Sequence, residues 1–191
     1  VDSNEIISIY GASGSGKSTL LNILSGLMSS DKGDIIFNGK ILSSNTDFIH
    51  FRKNNLGIVF QEDFLLNEFN SIENIMLPHI IAGNSKKDAY VKAYSLLEKF
   101  NLLSIKDAYP NILSGGEKQR ISILRATINN PKLIFADEPT GSIDEFNKEK
   151  IFSLFKDITS EYNSSILIAT HDNNVSKISN KILNLSKGKI K

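Results

Sequence analysis

Cysteine is absent from the 191 residues, which excludes disulfides and thiolate metal sites and fits a reducing compartment. A surplus of one charge is missing too, with 22 basic side chains facing 21 acidic ones. Nucleic-acid binding usually calls for a basic face, so this balance predicts no nucleic-acid partner. No apolar run approaches the ~18 residues that a membrane-spanning helix needs. The longest candidate, residues 75–82, is short and holds Pro78 and His79. The first residues have neither the basic start nor the apolar stretch of a secretion signal. If the protein works on a membrane, another subunit is expected to supply the span.

What remains is ordinary soluble-domain material: 40% hydrophobic and 23% charged residues, enough to bury one respectable core. Short β-branched strands are expected at residues 5–10, 34–37, 56–60, 133–136, 166–169 and 181–185. Asn38-Gly39 closes the second of them as a turn. Apolar spacing predicts helices over 17–28, 72–81, 86–100, 115–129 and 145–162, with a short one near 174–178. Alternating strands and helices indicate an α/β domain with a mostly parallel sheet. Residues 62–129 interrupt that alternation with helix alone, so they are expected to form an inserted helical subdomain. The core would then comprise 1–61 and 130–191.

Several stretches carry chemistry. Gly11-Ala12-Ser13-Gly14-Ser15-Gly16-Lys17-Ser18 fits G-x-x-x-x-G-K-[ST], with strand before and helix after. Glycines let successive N–H groups point at a β-phosphate, and the helix start adds about half a positive charge. Lys17 is expected on the β- and γ-phosphates and the Ser18 hydroxyl on Mg²⁺, with Thr19 beside them in the nucleotide site. Leu133 to Ala136 run as a buried strand into Asp137-Glu138. Side chains alternate along a strand, so the two acids leave it in different directions. Asp137 suits Mg²⁺, and Glu138 suits a general base, a role worth ~10²–10⁴-fold in rate.

Gln61 ends the strand at 56–60, where a neutral amide can ligate Mg²⁺ and orient water. His171 follows the strand at 166–169, a position facing the γ-phosphate in a parallel sheet. His50 and His79 have no such context and read as ordinary surface or core residues. Leu113-Ser114-Gly115-Gly116-Glu117 opens a helix as a second anion-receptive start, 97 residues beyond Lys17. One compact monomer cannot grip a single nucleotide with two outward-facing helix starts, so two copies are expected to close on it. Asp144 fits two readings, a residue at the subunit seam or the cap of the helix at 145–162.

With these motifs in this order, the chain resembles the nucleotide-binding domain of an ABC transporter, from Glu5 to its last residue. The resemblance implies a P-loop NTPase fold with a RecA-like core, and ATP with Mg²⁺ as ligands. It also implies a head-to-tail dimer, homotypic or with a relative. Ser114, Gly115 and Gly116 would then contact the γ-phosphate of the partner's ATP, with Glu117 supporting that helix start. A groove near Gln61 and the helical subdomain would receive the transmembrane subunits. The chain would lie peripherally on the cytoplasmic face of the inner (plasma) membrane. The wording at Gly57–Gln61 and Ala136–Gly141 is similar to the branch of lipoprotein-release, macrolide-export and cell-division ATPases. Within that branch the lipoprotein-releasing ATPase is the first choice.

Two departures accompany the resemblance. The family carries an adenine-stacking aromatic on strands upstream of the loop. Tyr10 is the sole aromatic upstream here, and its place at a strand end suggests packing. Either that upstream region is not part of this sequence or the adenine contact is weaker. Gly141-Ser142-Ile143-Asp144 is a variant of the usual seam segment, with the aspartate kept. Against transport stand a non-transport membrane complex of the cell-division type, a soluble ABC-type ATPase, and a regulator that does not hydrolyse. The 97-residue spacing leaves no room for the coiled coil of chromosome and repair ATPases. Glu138 and His171 argue against a silent regulator.

Overall fold

A computed structural model describes residues 1–141 and 143–190. Lys191, and Ser142 of the Gly141–Asp144 segment, lie outside the described residues. The chain runs β1 (Ile6–Tyr10), α1 (Lys17–Leu24), β2 (Ile36–Phe37), β3 (Lys40–Ile41), α2 (Asn45–Asn54) and β4 (Leu56–Val59). It continues through α3 (Ser71–Ile81), α4 (Lys86–Lys99), α5 (Gly115–Thr127), β5 (Leu133–Asp137) and α6 (Glu145–Tyr162). It closes with β6 (Ser165–Thr170), a 3₁₀ turn at Asn173–Lys177, β7 (Lys181–Ser186) and β8 (Lys189–Ile190). Two further 3₁₀ turns, Leu103–Ile105 and Pro110–Ile112, join α4 to α5.

Six strands form the main sheet in the order β4-β5-β6-β1-β7-β8, parallel except for the terminal β8. The expected α/β class with a mostly parallel sheet is what the chain adopts. Side-chain alternation divides the core between the two faces. Ile134, Ala136, Ile166 and Ile168 face a layer drawn from α3, α4, α5 and α6. Phe135, Leu167, Ala169, Ile7 and Ile9 face α1 and α2 through Leu21 and Phe51. Burial on both faces explains why β5 and β6 read as unbroken apolar runs rather than alternating ones.

Helices α3, α4 and α5 pack on one another, and α5 also lies against β4 and α6. Asn74, fully buried on α3, donates to the carbonyls of Leu66, Phe69 and Asn70 and accepts from the Leu66 N–H. His79 is buried at the end of α3, with Nε2 2.5 Å from Asp88 of α4 and Nδ1 2.6 Å from Asn129. It joins three parts of the helical layer, whereas His50 is exposed and meets only Asn54.

Some boundaries differ from expectation. The first helix ends at Leu24 instead of residue 28, because the chain turns at Gly26 and packs that residue against Phe48. Helix α2 was not foreseen: it buries only Phe51, so it lacks an apolar stripe. Its signal was the capping box of Ser44 and Asp47. Strand β3 completes a hairpin with β2 across Asn38 and Gly39, both with positive φ. The last expected strand is followed by β8, which folds back on it.

Candidate functional site

Parallel strands bring their carboxyl ends to one edge of the sheet. Tyr10 lies in register with Thr170, Asp137 with Ala169, and Val59 with Ala136. The residues that follow these ends, namely the 11–18 loop, Gln61, Glu138 and His171, therefore share that edge. This is the crevice where open α/β sheets place ligands.

The loop begins as β1 stops. Gly14 and Gly16 take φ values of +76° and +100°, a left-handed backbone that a Cβ would disfavour. Alternating such residues with ordinary ones turns successive N–H groups inward, the arrangement of an anion nest. Gly16 caps α1 without using a side chain, which leaves the first helical N–H groups directed outward for a ligand. Lys17 is buried, and its Nζ donates to the Gly11 carbonyl at 2.8 Å.

Glu138 is the hub of the edge. It sits at φ +45° just past β5, with its N–H bonded to the Ala169 carbonyl. Its Oε1 lies 3.3 Å from Lys17 Nζ and 3.0 Å from His171 Nδ1. Its Oε2 accepts from the Thr170 hydroxyl at 3.0 Å and the His171 N–H at 3.3 Å. Burial opposes ionisation, but the bonds from His171, Thr170 and Lys17 outweigh it and hold this carboxyl below its ordinary value. An ionised carboxylate only accepts, so the His171 Nδ1 facing it carries the proton.

Asp137 behaves oppositely. Burial pushes its pKa up, the Ser18 hydroxyl pulls it down, and the neighbouring Glu138 charge raises it again. Its Oδ1 is buried with no hydrogen-bond partner. A buried acceptor without a partner costs about 1–3 kcal/mol, and an oxygen in that state beside a serine hydroxyl suits a hard divalent cation. Ser18 and Asp137 thus fit Mg²⁺, although among the described residues no cluster of three acidic, His or Cys ligands occurs. Gln61 is exposed beyond the end of β4.

The second helix start is built separately. Ser114 is the N-cap of α5 in a reciprocal capping box: its N–H donates to Glu117 Oε2 at 2.9 Å, and its Oγ accepts from the Glu117 N–H. The Ser114 hydroxyl, donating to Glu117 Oε2 at 2.6 Å, and the Ser114 N–H hold the Glu117 carboxyl below its usual value. Gly116 is buried against α6, where a Cβ would stand 2.7 Å from Asn147 Cγ. Asp144 caps α6, accepting the Asn147 N–H at 3.0 Å and its amide at 2.7 Å. Of its two readings, the cap is visible within one chain, and the seam concerns a partner. Asp144 fixes the side chain on which Gly116 rests, and no hydrogen bond among the described residues joins it to the 11–18 loop.

Thr170, Asp172 and Thr140 escaped the sequence reading. Thr170 holds Glu138 and accepts the Asp172 N–H at 3.0 Å. Asp172 pairs with Lys148 at 2.9 Å, and buried Thr140 reaches it at 3.4 Å. Only their adjacency to His171 and to Asp137-Glu138 could have pointed to them.

Comparison with known proteins agrees with this geometry. Residues 1–141 match the family model described as ABC transporter. The "Lipoprotein-releasing system ATP-binding protein LolD" of Buchnera aphidicola subsp. Acyrthosiphon pisum (strain APS) is 47% identical, over 90% of this chain and 76% of that protein. The protein of the same name from Treponema denticola is 43% identical, over 100% of this chain and 85% of its own length. A solved dimer described as a post-hydrolysis state of the ATP-binding cassette MJ0796 bound to ADP and Pi has a TM-score of 0.89. It is 33% identical, over 100% of this chain and 85% of that one. The structure of cbiO1 from Clostridium perfringens, part of the cbiONQ transporter complex, gives a TM-score of 0.91 at 25% identity, over 100% and 77%. The chain belongs to the ABC transporter family, and it is an ATP-binding cassette of that family, an ATPase.

Proposed function

We propose that this ATPase serves a lipoprotein-releasing transporter, bound peripherally to the cytoplasmic side of the membrane subunits. The relatives named for that system, similar along most of the chain, support the choice. No helix among the described residues is long and apolar enough to cross a membrane. The membrane span for transport would come from outside these residues. The groove for it would lie near Gln61 and the helical block 62–129, where Phe64 and Leu66 are exposed. That block would move as a subdomain against a core of 1–61 and 130–191.

The observation that carries the mechanism is the division of labour between two helix starts. Lys17, Ser18, Asp137, Glu138 and His171 gather at one edge, while Ser114 opens an exposed helix start whose side chain bonds to its cap partner Glu117. ATP would bind with its β-phosphate in the loop Gly11–Ser18 and Thr19. Lys17 would leave Glu138 for the β- and γ-phosphates. Ser18, Asp137 and Gln61 would hold Mg²⁺, which neutralises phosphate charge. Ser114, Gly115 and Gly116 of a second copy, or of a relative, would complete the cradle, with Asp144 near the seam. Glu138, released from Lys17, would accept a proton from the attacking water. His171 would keep Glu138 oriented and face the γ-phosphate, and Gln61 would align the water.

The lipoprotein assignment is tested by purifying the untagged chromosomal partner with a tagged copy of this chain. We expect a membrane protein with a large extracytoplasmic domain, and the complex should release a membrane-inserted lipoprotein when given ATP. Recovery of a complex that hydrolyses ATP but never detaches the lipoprotein would defeat the assignment while leaving the ATPase intact.

A further inference from the structure

Arg125 lies in the last turn of α5, about three turns beyond its start at Ser114, and no acidic side chain forms an ion pair with it among the described residues. Its guanidinium is spent on main-chain oxygens. Nη1 donates to the Phe64 carbonyl at 2.7 Å and Nη2 to the Asp63 carbonyl at 2.6 Å. Two carbonyls in a row match the planar fork of arginine, and a lysine cannot satisfy both. The segment they belong to is unusual. Phe64 holds φ +44°, a conformation uncommon for a bulky residue that persists only where surroundings enforce it. Its ring is 57% exposed, with its edge against Phe60 at 5.3 Å between centroids. Just upstream, Gln119 of the same helix reaches the Phe60 carbonyl at 3.5 Å. Helix α5 therefore grips this segment on either side of Gln61, while Asn74 of α3 holds it further on at Leu66.

We propose that Arg125 is a positioning residue, whose fork on the Asp63 and Phe64 carbonyls makes the Gln61 segment move with the helix that begins at Ser114. The proposal rests on the reading of Gln61 as a ligand of Mg²⁺ and water. A charged fork is worth more than neutral bonds because its donor is ionised. Burial disfavours the Arg125 charge, and the nearby Asp63 carboxylate favours it. When the segment shifts, α5 must follow or two charge-assisted bonds must break. The same fork sets how Phe64 is presented at the surface.

Hydrogen exchange reads this directly, because two amides report on the two anchors. The Leu65 N–H is tied to Asp63 Oδ1 at 3.0 Å, and the Leu66 N–H to Asn74 Oδ1 at 2.8 Å. In Arg125→Gln, Leu65 exchange should rise roughly tenfold or more while Leu66 stays protected. ATP affinity should remain within about twofold as turnover falls, and Arg125→Lys should lie between. Equal exchange at Leu65 in wild type and Arg125→Gln would overturn the proposal. So would a matched rise at Leu65, Leu66 and the amides of α3, which marks general loosening. Gln61→Ala serves as the control for the underlying reading. If it leaves turnover unchanged, the reading of Gln61 fails whatever Arg125 does. If it slows turnover and Arg125→Gln alters neither exchange nor rate, the positioning role alone is refuted.

Discussion

Asp137 and Glu138 are sequence neighbours with opposite electrostatic fates. Glu138 gains four donors from three residues and is held below its ordinary value, whereas Asp137 is buried with an oxygen unmatched. The signs of their stability contributions follow. Glu138 stabilises the fold above the ordinary glutamate range and loses that contribution as pH falls through its lowered value. Asp137, raised by burial, destabilises the fold increasingly as pH rises above the ordinary aspartate range. Asp137→Asn should therefore raise Tm at pH 7 by about 2–4 °C, a shift corresponding to about 1 kcal/mol in a chain of this size. The gain should shrink toward pH 4, and Mg²⁺-dependent turnover should collapse. A calorimetric scan in which the variant melts lower at pH 7 would show that Asp137 is structurally content. The pair itself was legible from a strand that ends in two acids. Their divergence was not, because it depends on Thr170 and His171 arriving from β6, a contact that pairing with β5 creates and no local spacing announces.

Among the elements, α5 concentrates the most constraints. Its first turn carries the capping box of Ser114 and Glu117, its buried face enters the shared core, and Gly116 touches Asn147 of α6. Replacing a helical glycine with alanine usually gains about 0.5–1 kcal/mol. Here the added Cβ would overlap a side chain that Asp144 holds in place, and overpacking costs about 1–3 kcal/mol. The clash should win, so Gly116→Ala melts lower than wild type. In an Asn147→Ala background the same substitution should raise stability instead. Urea unfolding of the four proteins checks the sign reversal, and two independent, additive effects would rule the contact out.

The same helix was readable from sequence because Ser114-Gly115-Gly116-Glu117 marks its start and apolar spacing fixes its face. Helix α2 was not, since Phe51 alone is buried and periodicity had nothing to detect. Strand β8 depends on a turn at Lys187 and Gly188, both with positive φ, and on β7 as a template. Two-residue strands of this kind are fixed by pairing rather than by propensity.

At the scale of the molecule, the sheet would, in the proposed mechanism, assemble one half of a catalytic centre and the helical layer present the other. Order along the chain made both halves recognisable: the loop, Gln61, Ser114–Glu117, Asp137-Glu138 and His171 occur in the family's sequence. The architecture fits the proposal that one chain does not complete the centre. The loop follows β1 at the sheet edge, whereas Ser114 opens α5, whose start packs on α6. Sedimentation equilibrium of Glu138→Gln with and without ATP measures the consequence. The variant should turn over about 10²–10⁴-fold more slowly and reach twice the chain mass only when ATP is present. Adding Ser114→Arg to it should keep the mass single at the same ATP concentration. A dimer that forms unchanged with Arg at that position would contradict the shared centre, as would Glu138→Gln staying monomeric under saturating ATP.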